Sequence, residues 1–308
     1  MSPRPGSTAP RSGTPKTAFA RPGTSLVEHP SPSRLMTMNT EETRSQGRKR
    51  IASAQFETAR FLLLSLLVGV LVGAGAALLI WAVEWVGAGS TRLADGTSLG
   101  RFAILASVPL GLLLAWWIGA KVAPEVAGDG VPEATIGLAV HAGYLPTRSI
   151  PLKLLATALT LGGGGSAGRE GPIVQIGATI GSSVARRTGL GEDKIRSLVA
   201  AGAGAAIGAS FNAPIAGMLF AMEVMLRTFS VRHLSAVVVA SVAAAVTNES
   251  LVGSEELLRA PSYGVIDPRE LVLYAGVGLA AVIAGYGLLK MLHLTEQLGE
   301  RLGKQGWI

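Results

Sequence analysis

Residues 162–172 read GGGGSAGREGP, a glycine run followed by the charged pair Arg169-Glu170 and by Pro172, a residue suited to the first turn of a helix. A helix N-terminus presents unpaired backbone N–H groups and a partial positive charge. Glycines such as Gly168 and Gly171 carry no side chain that would keep an anion away from that backbone. The pattern therefore predicts an anion site. Glu170 stands where its own carboxylate can take the anion's place and be displaced or protonated when one arrives. The alternative is that Glu170 only caps a helix at a membrane surface; the glycine run weighs against it.

Two further stretches share the design. At 128–133 the sequence GDGVPE sets Gly128 and Gly130 before Val131, Pro132 and Glu133, which predicts a second helix N-terminus. Asp129 can cap that helix, bind a cation or proton, or repel an anion; N-capping is the favoured reading. At 210–217, SFNAPIAG breaks a long apolar stretch at Phe211, Asn212, Ala213 and Pro214, continues through Gly217, and sets Glu223 about two and a half turns into the next helix. Gly163, Gly165 and Gly168 also satisfy a GxGxxG spacing. No preceding strand or acidic ribose partner supports a dinucleotide site, and Arg169-Glu170 replaces the Lys and Ser/Thr of a P-loop.

The elements that must position these residues are membrane helices. Of 308 residues 49% are hydrophobic, only 15% are charged and 40 are glycine, too apolar for an ordinary soluble domain. A bilayer core needs roughly 20 apolar residues in a helix, and uncharged runs at 61–83, 102–120, 197–222 and 271–289 meet that length. Shorter runs at 154–168, 171–185 and 234–248 fall between them. Short apolar helices among full spans indicate broken or re-entrant segments. The expected elements are an amphipathic helix from Thr43, long helices over 59–86 and 101–121 with a loop at 89–100, and short helices punctuated by Gly and Pro from 128 to 227. An extramembrane loop over 249–269 and a last helix over 268–302 complete the series. The glycines and alanines from Gly202 to Ala209 predict close helix packing.

Residues 1–52 are rich in Pro, Ser, Thr, Gly and Arg and predict a disordered, basic cytoplasmic tail ahead of a membrane domain over 53–308. No apolar secretory core precedes 61, and no cleavage pattern follows. Arg48, Lys49, Arg50 and Arg60 flank the first span, so positive-inside anchoring at anionic lipid explains the net charge of +7 better than nucleic acid, for which no motif is present. Cysteine is absent and the four histidines have no ligand spacing. No metal or cofactor is implied, and an enzyme using Glu170, Glu223 and Asp129 has no support from such partners.

The stretches at 128–132, 168–172 and 211–217, in this order, resemble the GSGIP-like, GREGP and FNAPIAG elements of the CLC family of chloride channels and anion transporters. The resemblance covers about 55–305. It implies an all-α polytopic fold with broken and re-entrant helices, of which this chain resembles the first half of an inverted repeat. It further implies transmembrane passage of chloride or a related small anion, and a homodimer in which each subunit holds its own pathway. Glu170 then resembles the gating glutamate, with Gly168, Arg169, Gly171, Pro172 and Ile173 forming the helix start around it. Asp129 stands where the family usually has a serine that coordinates the anion. Val224, after Glu223, stands where proton-exchanging members carry the glutamate that delivers protons, which favours a gated channel or atypically coupled transporter in a multi-pass plasma (inner) membrane protein. No counterpart of the family's second half follows. A fragment of a longer reading frame, a split protein needing a second-half polypeptide and a decayed remnant are the explanations, with the fragment favoured. The competing reading is a non-transporting membrane subunit, or an inactive truncated fragment, that packs against a partner.

Overall fold

A computed structural model describes residues 32–96, 100–253 and 267–302. Among them the regular structure is helical, in chain order α1 (Pro32–Asp95), α2 (Arg101–Trp117), α3 (Val131–Val140), α4 (Ser149–Gly162), α5 (Glu170–Arg187), α6 (Glu192–Phe211), α7 (Pro214–Phe220), α8 (Val231–Val252) and α9 (Glu270–Leu302). The described residues up to Leu251 form one compact unit; the second, from Val252, contains α9 as its described helix.

Helix α1 is longer than expected at both ends. It absorbs the separate amphipathic helix and much of the expected 89–100 loop, and it makes residues 32–52 helical rather than disordered. The Met, Glu, Gln, Arg and Lys side chains between 35 and 50 are straight-chain helix formers. A helix nucleated in the apolar span extends through such residues at one hydrogen bond each. Residues 1–31 of the expected tail, and 254–266 of the expected loop, lie outside the described residues.

Among the described residues, four helices are long and apolar enough to cross a membrane: Ala52–Arg92, Leu105–Val122, His233–Val252 and Glu270–Gly299. Two expectations change. The 197–222 run is not one span but α6, a break at 212–213, α7 and a π-helical turn at Ala221–Leu226. The 234–248 run is a full span, because α8 takes Arg232 and Glu249 into its end turns, residues that a count of uncharged positions leaves out.

The core lies along the α5–α6 seam, where Ile173, Val174, Ile176, Ala178, Leu198, Ala201 and Ala205 are buried. Gly177 and Gly202 face each other so closely that a Cβ on either would strike the other's carbonyl oxygen. The same economy joins α1 to α8, where a Cβ on Gly73 would lie 2.5 Å from the carbonyl oxygen of Ala244. In lipid, which rewards close backbone packing rather than apolar burial, small residues are what bring helices together.

Candidate anion site

Helix α5 starts at Glu170, with Arg169 as its N-cap residue and Pro172 in its first turn. Glycines leave the approach to it open, and Glu170 uses that space: its side chain folds back so that a Cβ on Gly168 would meet Oε2. Arg169 turns the other way, its guanidinium donating to the Ser210 carbonyl at 3.4 Å. Ile173, almost fully buried, anchors the helix in the core.

Helix α3 begins after Gly130, whose φ of 112° is open to glycine and strained for other residues. Val131 and Pro132 form its first turn, and Glu133 reaches back so that Oε2 accepts the Gly130 N–H at 2.8 Å. Gly128, at φ 85°, leaves room for that carboxylate, since a Cβ there would lie 2.5 Å from Glu133 Oε1. Asp129 is not the main cap. Its Oδ2 lies 3.5 Å from the Val131 nitrogen, a marginal hydrogen bond, and its side chain is exposed.

The structure brings these two N-termini into contact. A Cβ on Gly130 would lie 2.6 Å from the Gly171 carbonyl oxygen, and one on Gly171 would meet the Asp129 carbonyl. Beside them opens a cavity of about 440 Å³, lined by Gly128, Asp129, Lys153, Thr157, Gly168 and Pro172 among others. Three side chains strap the loop that leads into it. Gln175 Nε2 donates to the Glu125 carbonyl at 2.6 Å, and Lys153 Nζ donates to the carbonyls of Val126 and Gly128 at 3.0 and 2.8 Å. Arg148 Nε, paired with Glu125 Oε1 at 2.5 Å, completes the set. Burial raises the Glu125 carboxyl, but the Arg148 hydrogen bond, its own backbone N–H and the Arg148 charge together hold it below the usual carboxylate range.

Lys153 is the residue that the motif reading missed. It is the single charge of α4 and only 3% exposed. A lone ionisable residue inside an apolar helix is the signal that points to it, because such residues are costly and concentrate on ion pathways.

The third motif is a helix break next to the first. Phe211 ends α6, Asn212 takes the left-handed conformation with φ 49° and ψ 39°, and Pro214 opens α7. The Ala213 N–H returns to the Gly208 carbonyl at 3.0 Å, so the break leaves that carbonyl paired. Gly217 packs against α6, its Cβ position falling on the Gly204 carbonyl. Phe211 and Asn212 are exposed, and the Arg169–Ser210 hydrogen bond sets this break beside the α5 N-terminus. Glu223 is exposed in the π-helical turn Ala221–Leu226 together with Val224.

Spanning helices interleaved with short, broken ones whose N-termini converge define a polytopic helical membrane protein of the interrupted-helix class. A family model described as Voltage gated chloride channel matches residues 110–308, and the chain belongs to that family. It is 32% identical over 246 residues to the H(+)/Cl(-) exchange transporter ClcA of Vibrio cholerae, covering 77% of this chain and 52% of that protein. For ClcA of Vibrio vulnificus the figures are 32% over 243 residues, 76% and 52%. Among solved structures, a slow cyanobacterial Cl-/H+ antiporter superposes with a TM-score of 0.65 at 26% identity, covering 74% of this chain and 55% of that one. A CLC-type fluoride/proton antiporter gives 0.61 at 26% identity, with 73% and 55% covered. The fold is thus the all-α CLC fold, and the chain spans about half the length of the relatives it matches.

Proposed function

We propose that this chain builds one half of a transmembrane pathway for chloride or a related small anion, with Glu170 as the gate at the N-terminus of α5. The observation that carries the proposal is the abutment of the α3 and α5 N-termini at Gly130 and Gly171, beside a cavity that Gly168 helps to line. Two partial positive charges from helix ends add there, and the carboxylate of Glu170 lies over Gly168, where it competes with an entering anion.

Passage is passive or differently coupled from that of the exchangers among the relatives. Val224, the residue after Glu223, has no proton to carry. The orientation follows from charge. Arg60 of α1 donates to the Thr188 carbonyl at 2.6 Å, and Lys194 pairs with Glu57 at 2.9 Å. Arg186 and Arg187 close α5 at the same end. This basic end is the cytoplasmic one by the positive-inside rule, with the pathway acting as a homodimer in a plasma (inner) membrane.

The test is chloride efflux from liposomes containing the purified chain, at two pH values, with and without Glu170→Ala. Retained efflux with its pH dependence lost is the expected result. Unchanged pH dependence argues against the gate, and absence of efflux from folded wild-type chain argues against a working pathway in this chain by itself.

A further inference from the structure

Lys153 projects from an otherwise uncharged helix into the wall of the 440 Å³ cavity, yet only 3% of it is exposed. Both hydrogen bonds from its ammonium go to neutral carbonyl oxygens, those of Val126 and Gly128. Neither cancels its charge, and among the described residues Nζ forms no ion pair. A buried cation without a compensating charge is costly, so the nearby carboxylates matter.

Those of Glu133 and Asp129 both attract it. Glu133 is committed to the Gly130 N–H at 2.8 Å. Asp129 is exposed on the same cavity wall, in the residue directly after the Gly128 carbonyl that Lys153 holds. Among the described residues its carboxylate accepts one hydrogen bond, the marginal contact from the Val131 nitrogen at 3.5 Å. Asp129 and Lys153 are the charged residues among those lining the cavity, so without Lys153 an entering anion would face the Asp129 carboxylate with no cation on the wall to offset it. An uncompensated carboxylate on the wall repels an anion.

We propose that Lys153 is the specificity-determining residue of the cavity. Its charge offsets Asp129 across the wall, and its hydrogen bonds to Val126 and Gly128 hold the Asp129 loop in place, so that the cavity admits anions rather than cations. The proposal rests on the anion-pathway reading above and adds a residue and a charge pair to it. It also accounts for how an aspartate is tolerated beside a site for anions, since the pair is nearly neutral as seen from the cavity.

The test is a four-protein cycle in the full 308-residue chain: wild type, Lys153→Met, Asp129→Asn and the double variant. In liposomes under a potassium chloride gradient, chloride-over-potassium permeability should fall at least about tenfold in Lys153→Met. It should rise in Asp129→Asn and return to within about threefold of wild type in the double variant. A residue with only a structural role predicts unchanged selectivity in all three variants, and that result overturns the proposal. Asp129→Asn alone serves should Lys153→Met fail to fold, because Asp129 is exposed; unchanged selectivity in that variant also overturns it. Should wild-type chain pass no chloride, the pathway reading fails separately and the pair is still tested by thermal unfolding in detergent. Partial recovery of Tm in the double variant over Lys153→Met supports the pair, and strict additivity refutes it.

Discussion

Glycine does two different jobs in two neighbouring parts of this molecule. Along the α5–α6 seam, Gly177, Gly181 and Gly202 have ordinary helical backbones, and each faces the backbone of the opposing helix. Around the α3 and α5 N-termini, Gly128 and Gly130 hold positive φ angles, and the Cβ position on Gly168 is filled by the Glu170 carboxylate, the end of a flexible side chain. The seam glycines are consumed by packing, while those at the site supply turns and leave room for something to move. A run of glycine in a membrane sequence therefore does not by itself mark a ligand site; what stands opposite the missing side chain decides.

The comparison can be broken most directly at the seam. Gly202→Leu sets a side chain against the Gly177 carbonyl, where neither backbone can yield, and should cost about 3 kcal/mol or more, read as loss of the cooperative melt in detergent. Gly130→Ala should cost somewhat less, about 2 kcal/mol, since it combines strain at φ 112° with a contact at 2.6 Å to the Gly171 carbonyl. Circular dichroism melts would rank the two, and a tolerated Gly202→Leu would dissolve the distinction between seam and site.

Gly168→Ala sharpens the contrast, because its obstacle is mobile. Tm should move by the equivalent of only about 0.5 kcal/mol, while chloride efflux should change as the Glu170 carboxylate is pushed from its place. A stable variant with unaltered efflux would separate Glu170 from gating.

The smallest effect belongs to Arg148→Ala. Arg148 is 65% exposed, so screening limits its pair with Glu125 to about 1 kcal/mol or less. The folded carboxyl of Glu125 sits below its ordinary value of 4.5, so the contribution is complete above that pH and is lost as pH falls through the lowered folded value. Melts of wild type and variant should differ slightly at neutral pH and converge in acid; a gap that widened in acid would reverse the sign.

Much of the site could be read from the chain because its signals are local. The α5 start at Glu170, the α3 start after Gly130 and the break at Asn212-Pro214 all follow from glycine or proline acting on the backbone within a turn. Lys153 could not be placed in the same way, since its partners Val126 and Gly128 lie 27 and 25 residues away. The spans of α1 and α8 exceed their uncharged runs for a different local reason, because charged residues in end turns extend a helix that hydropathy cuts short.

The sequence by itself determined a helical membrane protein, the positions at which its helices break, and the glutamate set at one of those breaks, since each depends on the apolar length of a segment or on the conformational limits of glycine and proline. Only the tertiary structure decided that the α3 and α5 N-termini meet, that Glu133 rather than Asp129 caps α3, and that a buried lysine from α4 holds the Gly128 carbonyl next to the aspartate. These are contacts between segments distant in the chain, and they exist only once small residues have let the helices close on one another.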